Sequence, residues 1–410
     1  MTNALLVMLI ALVLAYTLSE IFRYFKLPRV IGQILAGVVL GIPIVKNMLF
    51  TEDISSSFSF LADIGIILLF FFIGLELNIK EFRKNLKESA YIALFNTTIP
   101  FVSGFLVARF LFGLDNLVSV VMGISVSVSS QAISLDILEE IKMLKSKIGN
   151  LIIASGTVDD VFELLLISFV LVLFHSTTAD KSDFIVLGMN MLFFVALIIL
   201  LRVSLIPFAL KIFEREKSRA SLFMGALIIV LAVAYISELL GMGSLIGALI
   251  AGALVRQTLL TGADRKPWEK NELSHSLYII SFGFLIPLFF VSVGLQINLS
   301  SLSSNLLLVV IFVFIDIIGT LVGTIIGVML SKGSFNEGVI IGWGVLPKGD
   351  TELVIATLAL QSGIIPVSIF TVIITVAMIS TFLAPIVFKY MVRKHAANAA
   401  KIATKKPQHF

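Results

Sequence analysis

Apolar residues in this chain come in windows of about 20 with few or no charges, the length an α-helix needs to cross a bilayer. The windows recur from one end of the 410 residues to the other. Set against the polar loops between them, they predict spans near residues 3–22, 30–45, 59–77, 89–113, 116–138, 147–174, 184–212, 219–238, 241–257, 273–295, 304–331, 335–362 and 365–390. The expected fold class is therefore an all-α polytopic membrane protein with about 13 transmembrane helices. One transmembrane domain over residues 1–396 would leave 397–410 as a short basic cytoplasmic tail. The first window has no basic run before it and no small-residue cleavage site after it, so it reads as a retained helix and not as a signal peptide.

The loops carry the orientation. With the N-terminus outside and the C-terminus inside, only Lys46 and Lys181 among the 30 lysines and arginines fall in outer loops. Arg109, Arg202 and Lys348 lie within or at the ends of spans, and the others fall on the inner side or in the tail. That asymmetry is what the positive-inside rule requires, and adding or dropping one span would scramble it.

Composition agrees with the pattern. The chain is 58% hydrophobic and 14% charged, with a mean hydropathy of +1.08, whereas soluble domains run near 45–50% apolar and about 25% charged. Cysteine is absent, which excludes disulfides, thiolate metal sites and thiol catalysis. The pI near 9.1 comes from dispersed loop charges, so it points to topology and not to nucleic acid. The four histidines lie in loops or the tail without metal-ligand spacing.

Two motifs repeat. Ile31-Gly32-Gln33-Ile34-Leu35-Ala36-Gly37 in the second span matches Ile246-Gly247-Ala248-Leu249-Ile250-Ala251-Gly252 in the ninth. Phe71-Phe72-Ile73-Gly74-Leu75-Glu76-Leu77-Asn78, ending the third, matches Phe289-Phe290-Val291-Ser292-Val293-Gly294-Leu295-Gln296-Ile297-Asn298, ending the tenth. Seven spans separate each motif from its mate, and an odd shift reverses direction, so the halves would be inverted. Inverted repeats place a transport site near the midplane, at interrupted helices.

Ionisable residues inside lipid-crossing segments mark function by default. The sixth span holds Ser155-Gly156-Thr157-Val158-Asp159-Asp160-Val161-Phe162-Glu163, with its acids near the middle. Two adjacent carboxylates in a low-dielectric site cannot both be ionised cheaply, so they hold protons or a cation between them. Competition for the same oxygens would couple the two fluxes. Glu163 shares a helical face with both aspartates by its spacing. In the fifth span, Ser125 to Ser130 is hydroxyl-rich, and Ser129 and Ser130 could supply neutral oxygen ligands. In the twelfth, Gly342-Trp343-Gly344-Val345-Leu346-Pro347-Lys348-Gly349-Asp350-Thr351-Glu352 cannot form an unbroken helix, and irregular backbone at membrane depth survives only inside protein or beside a water-filled cavity. Lys348, Asp350 or Asp136 could neutralise half-helix ends. Asp316 in the eleventh span is also deep, with Thr320 one turn on.

At Asp159-Asp160 the chain resembles the monovalent cation:proton antiporter superfamily, in the branch of bacterial sodium/proton antiporters and potassium efflux proteins. Leu27-Pro28-Arg29-Val30-Ile31-Gly32, Phe72-Ile73-Gly74-Leu75-Glu76-Leu77 and Pro287-Leu288-Phe289-Phe290-Val291-Ser292-Val293-Gly294-Leu295 resemble that branch's recurrent stretches. The resemblance implies a homodimer in a prokaryotic plasma membrane, with a six-helix core crossed by two broken helices that moves like an elevator. It implies Asp160 as principal cation ligand and Asp159 as its protonated or salt-bridged neighbour. The core was placed at about 59–174 and 273–390, and the dimer scaffold at about 1–45 and 184–257.

The implied function is exchange of a monovalent cation for protons without a cofactor. Sodium is the expected cation, and potassium and lithium are the alternatives. Thr320 stands where electrogenic relatives carry a lysine, and Pro347-Lys348-Gly349-Asp350 resembles the family's Pro-Arg-Gly-Glu stretch. The supporting positions are Thr157, Glu163, Ser129, Ser130, Ser155, Lys348, Asp350, Glu352, Asp316 and Thr320.

Other readings fit less well. A channel needs no carboxylates that alternately hold protons, and an organic-solute symporter would need more polar side chains. An intramembrane aspartyl protease needs a Tyr-Asp and a Gly-x-Gly-Asp, neither of which occurs.

Overall fold

The computed structural model of the protein describes residues 4–25, 27–76, 86–130, 132–143, 146–156, 158–159, 193, 199–200, 203, 219–240, 243–261 and 278–405. Described secondary structure is helical throughout. Among the described residues six helices are long and apolar enough to cross a membrane: Ala4–Tyr24, Glu52–Leu75, Ser89–Leu111, Tyr278–Leu295, Leu306–Leu330 and Val367–Ala396.

The Leu306–Leu330 helix shows why such a segment belongs in lipid. Its buried side carries Asp316, Gly319, Thr320, Gly323, Thr324 and Gly327, while Leu307, Val310, Phe314, Ile318, Val322 and Ile326 point outward. Polar and small residues face in and large apolar ones face out, the reverse of a soluble amphipathic helix.

The expected single span at 30–45 is instead two helices, Arg29–Leu40 and Pro43–Leu49, bent by 81°. Pro43 is the cause: it has no N–H to continue the first helix, and its fixed φ suits the first turn of the second. The final helix runs on as Val367–Lys405, so the expected tail at 397–410 continues it as far as Lys405. Most of the two spans expected at 147–174 and 184–212 lies outside the described residues.

By their contacts the residues divide into two compact units. The first comprises Met1–Ile21, Gly32–Leu77 and Ile167–Gln296, and the second Phe22–Ile31, Asn78–Leu166 and Ile297–Phe410. This division follows a different line from the expected core and scaffold, because Glu52–Glu76 and Ile286–Leu295, both placed in the core, pack inside the first unit.

The repeated glycines explain that packing. A Cβ on Gly37 would lie 2.7 Å from the Cα of Gly294 and 2.1 Å from the carbonyl oxygen of Val291. A Cβ on Gly252 would lie 3.0 Å from the Cα of Gly74 and 2.1 Å from the carbonyl oxygen of Phe71. Each motif of one half thus meets the partner motif of the other, at a backbone approach that only glycine permits.

In the second unit the Leu86–Leu106 helix packs along Leu306–Leu330, and an apolar core of Ile92, Leu138, Ile152, Val328, Ile341 and Phe388 joins these segments to Phe335–Val345 and Val367–Lys405. Glu140 and Lys389 pair at 2.9 Å, and Lys147 pairs with Glu337 at 2.8 Å. All four belong to stretches that the charge pattern assigns to the inner side.

Candidate functional site

Two interrupted helices meet in the second unit. Asn116–Ser127 ends at Val128, whose backbone is extended, and Ala132–Glu140 begins after the break. Serine chemistry favours the interruption: the hydroxyl of Ser125 donates to the Met122 carbonyl at 2.9 Å and that of Ser127 to Ile124 at 2.9 Å, bonds that compete with the helical ladder. Phe335–Val345 likewise stops before Pro347, and Asp350–Gln361 restarts with Gly349 as an extended N-cap. Leu346 still has helical angles, but Pro347 after it has no N–H to continue the ladder. The breaks touch directly, because the Ser130 N–H donates to the Pro347 carbonyl at 2.7 Å. A Cβ on Gly349 would sit 3.0 Å from that of Ser130.

Lys348 closes the crossing. Its Nζ donates to the carbonyl oxygens of Val126 at 2.9 Å and Val128 at 2.6 Å and forms an ion pair with Asp316 Oδ1 at 2.8 Å. The carbonyl end of a half-helix carries partial negative charge, and the ammonium neutralises it. Asp316 takes a second hydrogen bond from the Ser380 hydroxyl. The Lys348 peptide is held too: its N–H donates to Thr381 Oγ1 at 3.0 Å, and that hydroxyl donates back to its carbonyl at 3.1 Å.

Asp159 lies in a separate polar cluster of the same unit. Thr97 Oγ1 donates to its Oδ1 at 3.1 Å, while Asn96 Nδ2 and the Ser129 hydroxyl donate to its Oδ2 at 3.0 and 3.2 Å. The Asn96 amide is oriented by Thr324, whose hydroxyl donates to Asn96 Oδ1 at 3.1 Å. The hydroxyl oxygens on this carboxylate are hard neutral ligands of the kind an alkali cation accepts.

The expected positions divide accordingly. Asp159 and Ser129 share one cluster, and Lys348 and Asp316 form an ion pair. Ser130 sits at the crossing. Ser155 is buried but bonds only back to Ile152 in its own helix. Thr320 is buried near Asp316, yet it is Thr324, one turn on, that reaches Asn96. Asp160, Thr157 and Glu163 lie outside the described residues, as do the side chains of Asp350 and Asp136. Glu352 is fully buried. Asn96, Thr97, Thr324 and Ser380 were not anticipated. The signal for the first two was Asn96-Thr97-Thr98, a polar step inside an apolar span.

A family model described as sodium/hydrogen exchanger, transmembrane, matches residues 8–394. The chain belongs to the sodium/hydrogen exchanger family. It is accordingly a secondary transporter of the cation/proton-exchange class and not an enzyme. The exchanger is 30% identical over 383 residues to a Na(+)/H(+) antiporter of Enterococcus hirae, covering 93% of this chain and 96% of that one. It is 27% identical to the Na(+)/H(+)-K(+) antiporter GerN of Bacillus cereus, covering 88% and 89%. Its fold matches the solved sodium proton antiporter MjNhaP1 of Methanocaldococcus jannaschii with a TM-score of 0.62 at 17% identity, over 98% of both chains.

Proposed function

We propose that this exchanger moves sodium against protons by alternating access, with cation and protons competing for Asp159 and Asp160. The observation that carries the reading is the setting of Asp159: a buried carboxylate with three neutral donors, Thr97, Asn96 and Ser129, beside a helix interruption. Such a site accepts a small monovalent cation or a proton. It cannot charge both adjacent carboxylates at once without one of them. Asp160 is the principal ligand in this scheme, and Ser129 Oγ and Thr97 Oγ1, which contact the neighbouring Asp159, would add oxygens to the shell. Potassium is the second reading, favoured by the Bacillus cereus relative whose name carries both cations.

The second unit, with its two breaks, is the moving part, and the first unit is the scaffold on which two copies pair in a prokaryotic plasma membrane. The crossed pairing of Gly37 with Gly294 and Gly74 with Gly252 supports an inverted repeat, and inverted halves suit rocking of one unit against the other. Thirteen spans with the N-terminus outside remain the topology that best explains the loop charges.

The test is purification of wild-type and Asp160→Asn protein, reconstitution, and measurement of cation-driven proton flux with each alkali cation in turn. Flux in the wild type with sodium and none in the variant is expected. Sodium flux by Asp160→Asn at the wild-type rate would refute the site.

A further inference from the structure

Glu352 is the buried charge that the site described so far leaves unused. It sits in the first turn of the Asp350–Gln361 helix, it is 0% exposed, and neither carboxylate oxygen has a hydrogen-bond partner among the described residues. The other buried acids described in the second unit each have a partner: Asp159 has three donors, and Asp316 has the Ser380 hydroxyl and its ion pair with Lys348. An isolated carboxylate stripped of water costs several kcal/mol in such a place, so the absence of donors bears on what Glu352 holds.

Among the described residues Lys348 is the one positive charge acting on Asp316 and Glu352, and it acts on Asp159 as well. The Asp350–Gln361 helix packs against Val367–Lys405 and Asn116–Ser127. Asn116–Ser127 has no titratable residue, and the basic residues of Val367–Lys405 begin only at Lys389, in the stretch that pairs with Glu140. The charged groups acting on Glu352 are Lys348 and Asp316. Lys348 donates to the carbonyls of Val126 and Val128 and forms its ion pair with Asp316. It makes no hydrogen bond to Glu352.

We propose that Asp316 and Glu352, arranged about Lys348, form a second proton-binding site of the exchanger that holds one proton between two carboxyls, carried on Glu352 while Lys348 binds Asp316. The charge balance is simple: two carboxyls and one ammonium leave one negative charge uncompensated, and one proton removes it. Because Lys348 also holds the carbonyls of the opposite break, a rearrangement of the crossing that shifted the ammonium from Asp316 to Glu352 would oblige the proton to pass the other way. The site rests on the exchange reading for its use in transport, while its proton is read on Glu352 itself.

Two measurements separate these claims. Infrared difference spectra of the reconstituted protein near neutral pH in saturating sodium, which displaces the proton of the Asp159–Asp160 pair, taken in water and heavy water, should show a protonated-carboxyl component that is lost in Glu352→Gln and persists in Asp160→Asn. In Glu352→Gln the pH dependence of exchange should lose about one proton of steepness. Should the glutamine variant not be recovered folded, Glu352→Met is read by the same band, and Glu352→Asp should keep the band at a shifted position. Lys348→Met, which leaves two carboxyls and no ammonium, should enlarge the band. A wild-type spectrum with no such band, or a band and pH profile unchanged in Glu352→Gln, overturns the second site. Loss of the exchange reading through an active Asp160→Asn would leave the band intact, so the two failures are distinguishable.

Discussion

Lys348 and Asp316 form an ion pair of 2.8 Å between side chains that are 1% and 0% exposed, one at the break of an interrupted helix and the other inside an unbroken one. A pair buried this completely is costly to break and much less costly to replace, because removing one partner strands the other charge. Lys348→Met should therefore destabilise the second unit by about 3–5 kcal/mol, and Lys348→Met with Asp316→Asn by clearly less. Thermal unfolding of the purified variants checks the order; a double variant no more stable than the single one would remove the pair from the account.

Asn96 and Thr97 should tune the cation site without being its ligands of first rank. Asn96→Ala and Thr97→Val each take one donor from Asp159, and a lost buried hydrogen bond is worth about 1–3 kcal/mol. The ionised carboxylate becomes harder to hold, protons compete better, and apparent sodium affinity should fall by about tenfold for each 1.4 kcal/mol. Isotope uptake at fixed pH measures it, and wild-type affinity in both variants would contradict the clamp.

Competition also fixes a direction with pH. As pH falls the carboxylates fill with protons, so apparent cation affinity should weaken, by up to about tenfold per pH unit while a single proton competes. An affinity that stays flat between about pH 6 and pH 9 contradicts direct competition.

The glycine contacts of the first unit predict a structural loss. A Cβ on Gly294 would stand 2.1 Å from the Ile34 carbonyl oxygen and 2.7 Å from the Gly37 Cα, both backbone atoms that cannot turn aside. Gly294→Ala should cost about 1–3 kcal/mol by forcing the helices apart. The same change at Gly283, where a Cβ would meet nothing within 4 Å, should be nearly silent, and equal melting of the two variants would refute the close approach.

What could be read from the chain depended on whether the signal was local. The interruption at Leu346–Gly349 follows from Pro347 and its flanking glycines, and the depth of Asp316 and Asp159 follows from the apolar residues on either side. Lys348 is legible in the sequence as one of three candidates, with Asp350 and Asp136, to neutralise a half-helix end, but its partner Asp316 lies on another span, and no spacing rule connects them. Asn96, Thr97 and Thr324 escaped because uncharged polar residues are tolerated in membrane helices, and only the fold brings residues 96, 159 and 324 together. The bend at Pro43 was visible in the residue itself, yet hydropathy averaged over a window hides it. Hydropathy likewise says nothing about which helices pack together, so the close contacts of Gly37 with Gly294 and of Gly74 with Gly252 in the first unit are not legible from motifs that show only symmetry.

The central claim is that Asp159 and Asp160 form one site that protons and sodium occupy in turn. Proteoliposomes with an acidic interior and a trapped pH-sensitive dye test it when sodium is added outside. The wild type should raise the internal pH at once, with a rate that saturates in sodium, and Asp160→Asn reconstituted at equal density should give no response. A wild-type protein that moves no protons when sodium is added, or an Asp160→Asn protein that moves them as the wild type does, would contradict the account.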